Sequence, residues 1–413
     1  MGRLTLFFLL MILCFACDDN NLDPTDPKVS TDKDPPIEEQ GTSQDLYDSM
    51  IDLGFKTFLQ INGADDEENI LISPLSIETA LYMASNGAQD ETLSEIRDAL
   101  EFGAFYPSGI NEQFHQFIDK LSDDRTDKTF LNMSQAAFYN PNLFTIDNEF
   151  QSNLEQYYSA NVYDDKFDLE SINGWANEKT EGRIPKVLDK IKEEEFMFLM
   201  NALYFIGDWD KPFPAESTRD ANFQFLDGRR PTVPMMNQDA ALSHYIGDDL
   251  KAVDLSFAGQ KFAMTFIQTP NPIAEYLEEK SYTEISDTYK KLVDDQMQEE
   301  RLLLNLPKFE LKYKRELSPD LKAMGMQRAF SNSQAQFQKV GDAGGNIYLT
   351  RVIHDTFLKI DEKGAEGAAV TTVGFGVESV PQSISFNKPF LLVLRHVETG
   401  IPIFIGKISD PLE

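Results

Sequence analysis

Residues Phe196 to Phe205, F-M-F-L-M-N-A-L-Y-F, form a run that is apolar except for Asn201 and is bounded by charge. Such a run reads as a central strand covered on both faces, because a half-exposed strand alternates apolar and polar side chains. The chain must therefore build a sheet with material packed on each side. It has the means, with 413 residues of which 41% are hydrophobic and 11% aromatic. That length allows one large domain or two to three ordinary ones.

Helices dominate before this run and strands after it. Leu46, Met50, Ile51, Phe55, Phe58 and Leu59 recur at helical spacing, so order is expected to begin at Gln44. Ser73-Pro74, a capping residue followed by proline, opens a buried helix. Asp90–Leu100, Asn111–Leu121, Asp147–Tyr158 and Ser171–Thr180 read as helices, and Thr129–Tyr139 as a strand. From Asn222 to Gln268 the signals are short strands with turns at Asp227-Gly228, Gly247 and Gly259. Ile273–Val293 offers two helices, Arg301–Tyr313 one long strand holding Pro307, and Ser318–Met324 a short helix capped by serine. No internal repeat or mid-chain linker interrupts this order, which favours a single α+β domain over residues 44–413.

Glu362 to Ser379, E-K-G-A-E-G-A-A-V-T-T-V-G-F-G-V-E-S, connects the strand-like runs Arg351–Asp361 and Phe390–Val397. Between Gly367 and Val377 it has no charge, in a chain that is 26% charged. Connectors are normally short and polar, and long ones usually have a function of their own. At a period of two, Ala365, Gly367, Ala369, Thr371, Val373 and Phe375 share one small or apolar face, and Glu366 falls on the other. A connector with one buriable strand face can serve first as a loop and later as a strand.

E-K-G-A-E-G-A-A resembles the hinge of the serpins, and F-N-K-P-F at 386–390 resembles the motif that closes their reactive loop. N-I-L-I-S-P-L-S-I at 69–77, N-E-K-T-E-G-R-I at 177–184, N-A-L-Y-F-I-G-D-W at 201–209, L-N-L-P-K-F at 304–309 and P-I-F-I-G-K-I-S-D-P at 402–411 look like further signatures of that family, in the right order. The resemblance implies a serpin fold with three β-sheets, about eight to nine helices and an exposed reactive-centre loop at about 362–385. It implies a protease inhibitor rather than an enzyme: the target cuts the loop, and the loop inserts into the central sheet with the protease covalently attached.

The same resemblance assigns residues. Glu362, Gly364, Ala365, Gly367, Ala368 and Ala369 form the hinge, with Ala365 standing where threonine or serine is usual. Ser73, Ser76, Asn201 and His354 form a shutter beneath the middle of the sheet, and Trp209, Lys308 and Glu362 a breach at its upper end. Counting from Glu362 and from Phe386 puts the reactive bond between Glu378 and Ser379. Val377 and Phe375 are alternative cleavage positions, permitted by the adaptable Gly374 and Gly376. The target is a serine protease, with papain-like cysteine proteases as a second class. The rival reading is a non-inhibitory serpin-fold binding protein whose loop is only cleaved as substrate. A surface glycan- or ligand-binding lipoprotein would share the tether described next but not the loop.

The N-terminus carries an address. M-G-R followed by the apolar run Leu4 to Ala16 reads as a signal peptide over residues 1–16, too short for a permanent bilayer-spanning helix. Ala16-Cys17 resembles a bacterial lipoprotein processing site with Cys17 as the lipidated residue; simple secretion with cleavage nearby is the alternative. Residues 17–43, acidic and proline-rich, read as a disordered tether reaching roughly 30 Å as a coil. Localisation is then extracellular, lipid-anchored at a bacterial outer membrane or cell surface, with the lipid as the only membrane contact. Both cysteines lie here, so the folded part keeps no thiol once they are lost or modified. A formal charge of −32 argues against nucleic acid and anionic membranes as partners. His115, His244, His354 and His396 show no ligand spacing, so no metal or cofactor is expected, and nothing calls for more than a monomer.

Overall fold

The computed structural model describes residues 7–18, 35–65, 69–364 and 381–412. Its helices are α1 (Ser43–Ala64), α2 (Pro74–Ser85), α3 (Asp90–Ala99), α4 (Pro107–Asp123), α5 (Asn148–Tyr158), α6 (Leu169–Lys179), α7 (Ile273–Glu279), α8 (Tyr282–Lys291) and α9 (Ser318–Ala323). The strands up to the chain's middle are β1 (Phe7–Asp18), β2 (Ile70–Ile72), β3 (Thr129–Tyr139), β4 (Thr145–Ile146), β5 (Asn161–Tyr163), β6 (Glu195–Gly207), β7 (Arg219–Asn222) and β8 (Thr232–Ile246). The rest are β9 (Lys251–Ser256), β10 (Phe262–Gln268), β11 (Gln298–Pro307), β12 (Phe309–Glu316), β13 (Gly341–Asp342), β14 (Asn346–Ile360), β15 (Gln382–Ser385), β16 (Phe390–His396) and β17 (Pro402–Ile408).

The apolar run at 196–205 becomes β6, in a six-stranded sheet of order β12-β14-β1-β6-β3-β5. Behind it lies α2, buried at every position; the Ser73 hydroxyl caps it by accepting from the Ser76 N–H, and Pro74 sets the first helical φ. A second, nine-stranded sheet runs β15-β11-β8-β9-β10-β16-β17-β2 with β7 beside β8, and β4 and β13 form a two-stranded third. Three sheets with nine helices among the described residues agree with the expected α+β architecture.

Several boundaries differ from the sequence reading. Arg301–Tyr313 is two strands, not one: β11 pairs with β8 in the second sheet, β12 pairs with β14 in the first, and the chain crosses at Lys308. Pro307 has no N–H to continue a ladder, so the crossing falls beside it. The strands from 222 to 268 are not all short, since β8 alone has 15 residues. Ser318 does not cap α9, which has Leu317 at its N-cap and no side-chain cap; the Ser318 hydroxyl instead accepts from the Val352 N–H at 3.1 Å.

The N-terminal segments also depart from expectation. Order begins before Gln44: residues 35–42 lie against the body, with Gln40 fully buried. The Gln40 Oε1 accepts from the Tyr106 N–H at the start of α4 (2.9 Å), and its Nε2 donates to the Pro35 carbonyl (2.6 Å) and the Ser108 hydroxyl (3.1 Å). One buried amide with three partners fixes the end of what composition marks as tether. Further upstream, Phe7–Asp18, part of the predicted leader and its lipid box, forms β1 in the middle of the first sheet. In the chain that retains it, the interior does hold a thiol, the fully buried Cys14. Gln40→Ala is expected to lower stability by about 1–3 kcal/mol, because the Tyr106 N–H loses its acceptor; urea unfolding measures this, and an unchanged midpoint would mean residues 35–42 contribute nothing to the body.

Candidate functional site

The site is the strand-wide slot between β6 and β14. β1 occupies it, antiparallel to both neighbours, so β6 and β14 run parallel to each other. Leu13 stands opposite Val352 on one side and Leu199 on the other. Met11, Ile12, Leu13, Cys14, Phe15 and Ala16 are all fully buried, and the Phe15 ring meets Phe337 edge-on at 5.4 Å. Adjacent strands lie about 4.8 Å apart, so a strand in the slot holds β6 and β14 roughly 9.6 Å apart.

At mid-slot the sequence-assigned Ser73, Ser76, Asn201 and His354 do come together, all fully buried. The Ser73 N–H donates to His354 Nε2 at 3.1 Å, and the Ser76 hydroxyl donates to Asn201 Oδ1. Because Nε2 accepts, the neutral imidazole carries its proton on Nδ1. Among the described residues that Nδ1–H has no partner, and neither has Asn201 Nδ2. Met11 lies in register with both His354 and Asn201, and so stands between them. Burial disfavours the imidazolium strongly and holds the His354 pKa down at about 3.

The upper end gathers the second expected group. Lys308 Nζ pairs with Glu362 Oε2 at 2.8 Å, and the Thr218 hydroxyl donates to Glu362 Oε1 at 2.8 Å. Burial pushes the Glu362 carboxyl up, but the Lys308 and Thr218 hydrogen bonds outweigh it and hold the group below the usual range. Trp209, buried, stacks on Phe257 at 4.4 Å and donates its indole N–H to the Asp361 carbonyl at 3.1 Å. The Trp209 N–H donates to the Lys363 carbonyl, and Gly364 bridges Asp208. Gly364 has φ +92°, and a Cβ there would sit 2.4 Å from the Trp209 nitrogen, so only glycine fits. Thr218 and Phe257 carried no sequence signal, being far from the motif in the chain.

The lower end holds a group that sequence reasoning missed. The Glu195 carboxylate, essentially buried, accepts from Arg351 Nη2 at 2.8 Å and from the Thr350 hydroxyl at 3.2 Å. This joins β6 to β14 across the slot beside Cys14, whose thiol is pushed up by burial and then by Glu195. Glu195 did not stand out because it ends the charged run Lys192 to Glu195, and Arg351 because it is a single charge among uncharged neighbours 156 residues further on. On the far side of the connector, Gln382 Oε1 contacts His244 Nε2 at 2.9 Å, and β15 pairs with β11 in the second sheet. The connector therefore leaves one sheet and returns on another. Ala365, Gly367, Ala368, Ala369, Phe375, Val377, Glu378 and Ser379 lie outside the described residues.

A helix-backed sheet of order β12-β14-β1-β6-β3-β5, left at its upper rim by the connector that begins beyond Gly364, sets the architecture. The chain belongs to the serpin family: the pattern of the family described as serine protease inhibitor matches residues 48–411. Antithrombin-III of Mus musculus is 30% identical over 368 residues, covering 84% of this chain and 77% of that protein. Leukocyte elastase inhibitor of Xenopus tropicalis is 29% identical over 387 residues, covering 89% of this chain and all of that protein. The native state of tengpin, a thermophilic serpin, matches with a TM-score of 0.79 at 27% identity over 92% of this chain and 97% of that one.

The geometry sets two expectations. His354 is neutral in the fold down to about 3 but titrates near 6.5 when unfolded, so stability is full above pH 6.5 and falls as pH drops toward 3. The loss should approach about 1.4 kcal/mol per pH unit for this one group, and His354→Gln should remove that component from a pH series of urea midpoints. Lys308→Ala should cost no more than about 1 kcal/mol, since Lys308 is more than a third exposed, and should loosen the start of the connector; unchanged proteolysis of the 362–364 segment would show that the pair latches nothing.

Proposed function

We propose that this chain inhibits proteases as a suicide substrate: a serine protease cuts the connector, and the freed strand inserts between β6 and β14 with the acyl-enzyme attached. The observation that carries this reading is the slot itself, which takes a twelve-residue strand in antiparallel register with both neighbours. A strand running from Gly364 back along β14 would point the same way as β1. Two antiparallel ladders then replace one parallel pairing, which is the slightly weaker arrangement per residue. Ala365, Gly367 and Ala369 are small enough for the buried face, and the Lys308–Glu362 pair holds the start of the strand until cleavage.

Glu378–Ser379 is the bond assigned to the target, with Val377 and Phe375 as displaced positions; papain-like cysteine proteases, which read the penultimate residue, are the second target class. Lipidation at Cys17 and the tether after it would present the inhibitor at a cell surface. No helix among the described residues is long and apolar enough to cross a membrane.

Mixing the protein with a panel of serine proteases should yield complexes that survive SDS, with a released peptide beginning at Ser379 by mass spectrometry. Ala365→Arg or Gly367→Asp should turn inhibitor into substrate, because an unpaired charge on the inserting face costs several kcal/mol to bury. Cleavage with no stable complex from the unaltered chain would favour the substrate-only reading.

A further inference from the structure

We propose that the leader is an intramolecular plug: Phe7–Asp18 fills the β6/β14 slot, so the chain that retains it has no room for a second strand until the leader is withdrawn. The blocking part rests on the insertion reading above; the occupancy does not. Met11–Ala16 is buried without exception, and backbone pairing runs from Phe7 opposite Phe205 to Asp18 opposite Asn346. The plug runs from the rim that carries Gly364 toward the end that carries Glu195, the course a strand folding back from the hinge would take.

A second observation is independent of the ladder. His354 Nδ1–H and Asn201 Nδ2 are buried, unpartnered, and held apart by the residue pair-matched to both, Met11. With β1 gone and the strands closed by about 4.8 Å, the same register brings these two side chains opposite each other. An amide rotation then lets Asn201 Oδ1 accept the imidazole proton while its Nδ2 donates to Ser76. The polar cluster therefore fits a closed slot better than the filled one, and the leader's apolar side chains are what hold it open.

Withdrawal begins with β1 leaving the sheet, because Ala16 is fully buried and Cys17 is paired opposite Ile347; one hydrolysis of the exposed leader then makes the release permanent. Water adds across the Ala16–Cys17 amide, leaving a carboxylate on Ala16 and an amine on Cys17, and residues 1–16 become a separate peptide. A signal that addresses the chain would thus also time its activity: until processing, the inhibitor could not be sprung by a protease of the producing cell.

The test uses the full chain with Cys17→Ser, which leaves Cys14 as the only thiol and the leader in place. Iodoacetamide should label Cys14 at least about 100-fold more slowly in buffer than in urea, as expected for a group exposed only by rare opening. Adding Leu13→Asp, or Leu13→Ser if the aspartate variant fails to fold, should restore fast labelling while cooperative unfolding persists. Nicking between residues 365 and 380 should leave the melting temperature unchanged in the plugged chain and raise it in the released variant. Labelling of the plugged chain at the urea rate overturns the plug, and so does an equal rise in both proteins after nicking. Protection in one, release in the other and no rise in either supports the plug and counts against loop insertion instead.

Discussion

Two long strands that run the same way, β6 and β14, lie on either side of a third position that suits an antiparallel strand better than they suit each other. Most of the molecule's chemistry answers to this. Parallel pairing gives evenly spaced but slanted hydrogen bonds, whereas a strand between them makes straight ladders on both edges. In this structure β1 takes that position and pairs with both neighbours. Buried apolar side chains from Met11 to Ala16 fill it, and an ion pair sits at each of its ends.

Magnitudes decide which effect prevails in the filled state. Leaving His354 Nδ1–H and Asn201 Nδ2 unpaired costs about 1–3 kcal/mol each. Against this stand the buried side chains of Met11, Ile12, Leu13 and Phe15, worth about 1.5–3 kcal/mol apiece. Burial exceeds the polar penalty, so an apolar strand holds the slot open even though the cluster beneath is left incomplete. A less apolar strand would gain less from the interior. The glutamates at the two ends work differently. Glu195 ties β6 to β14 below, while Glu362, held by Lys308 and Thr218, fixes the point from which the connector departs.

Much of this was legible beforehand where local chemistry and burial agree. The run at 196–205 could only be a two-sided strand, and Ser73-Pro74 could only start a helix. Ser73, Ser76, Asn201 and His354 were grouped by likeness to the serpins; hydrogen bonds link Ser73 to His354 and Ser76 to Asn201. What failed did so for identifiable reasons. Arg301–Tyr313 reads as one strand because apolar alternation lies on both sides of Pro307, but its phase slips there, from 302, 304 and 306 to 309, 311 and 313, where the chain changes sheets. Gln40 sits in a segment whose composition signals disorder, and a single amide overrides that composition. Phe7–Asp18 is apolar enough for a leader or for a core strand, and composition cannot separate the two.

The return of the connector onto a different sheet has a mechanical consequence. Every strand after residue 381 belongs to the second sheet: β16 is bordered by β10 and β17, β17 by β16 and β2, and both are buried throughout. A break in the connector would therefore divide the polypeptide without dividing the particle. The tail piece would stay wedged in place as a non-covalent subunit, held by its ladders to β10 and β2.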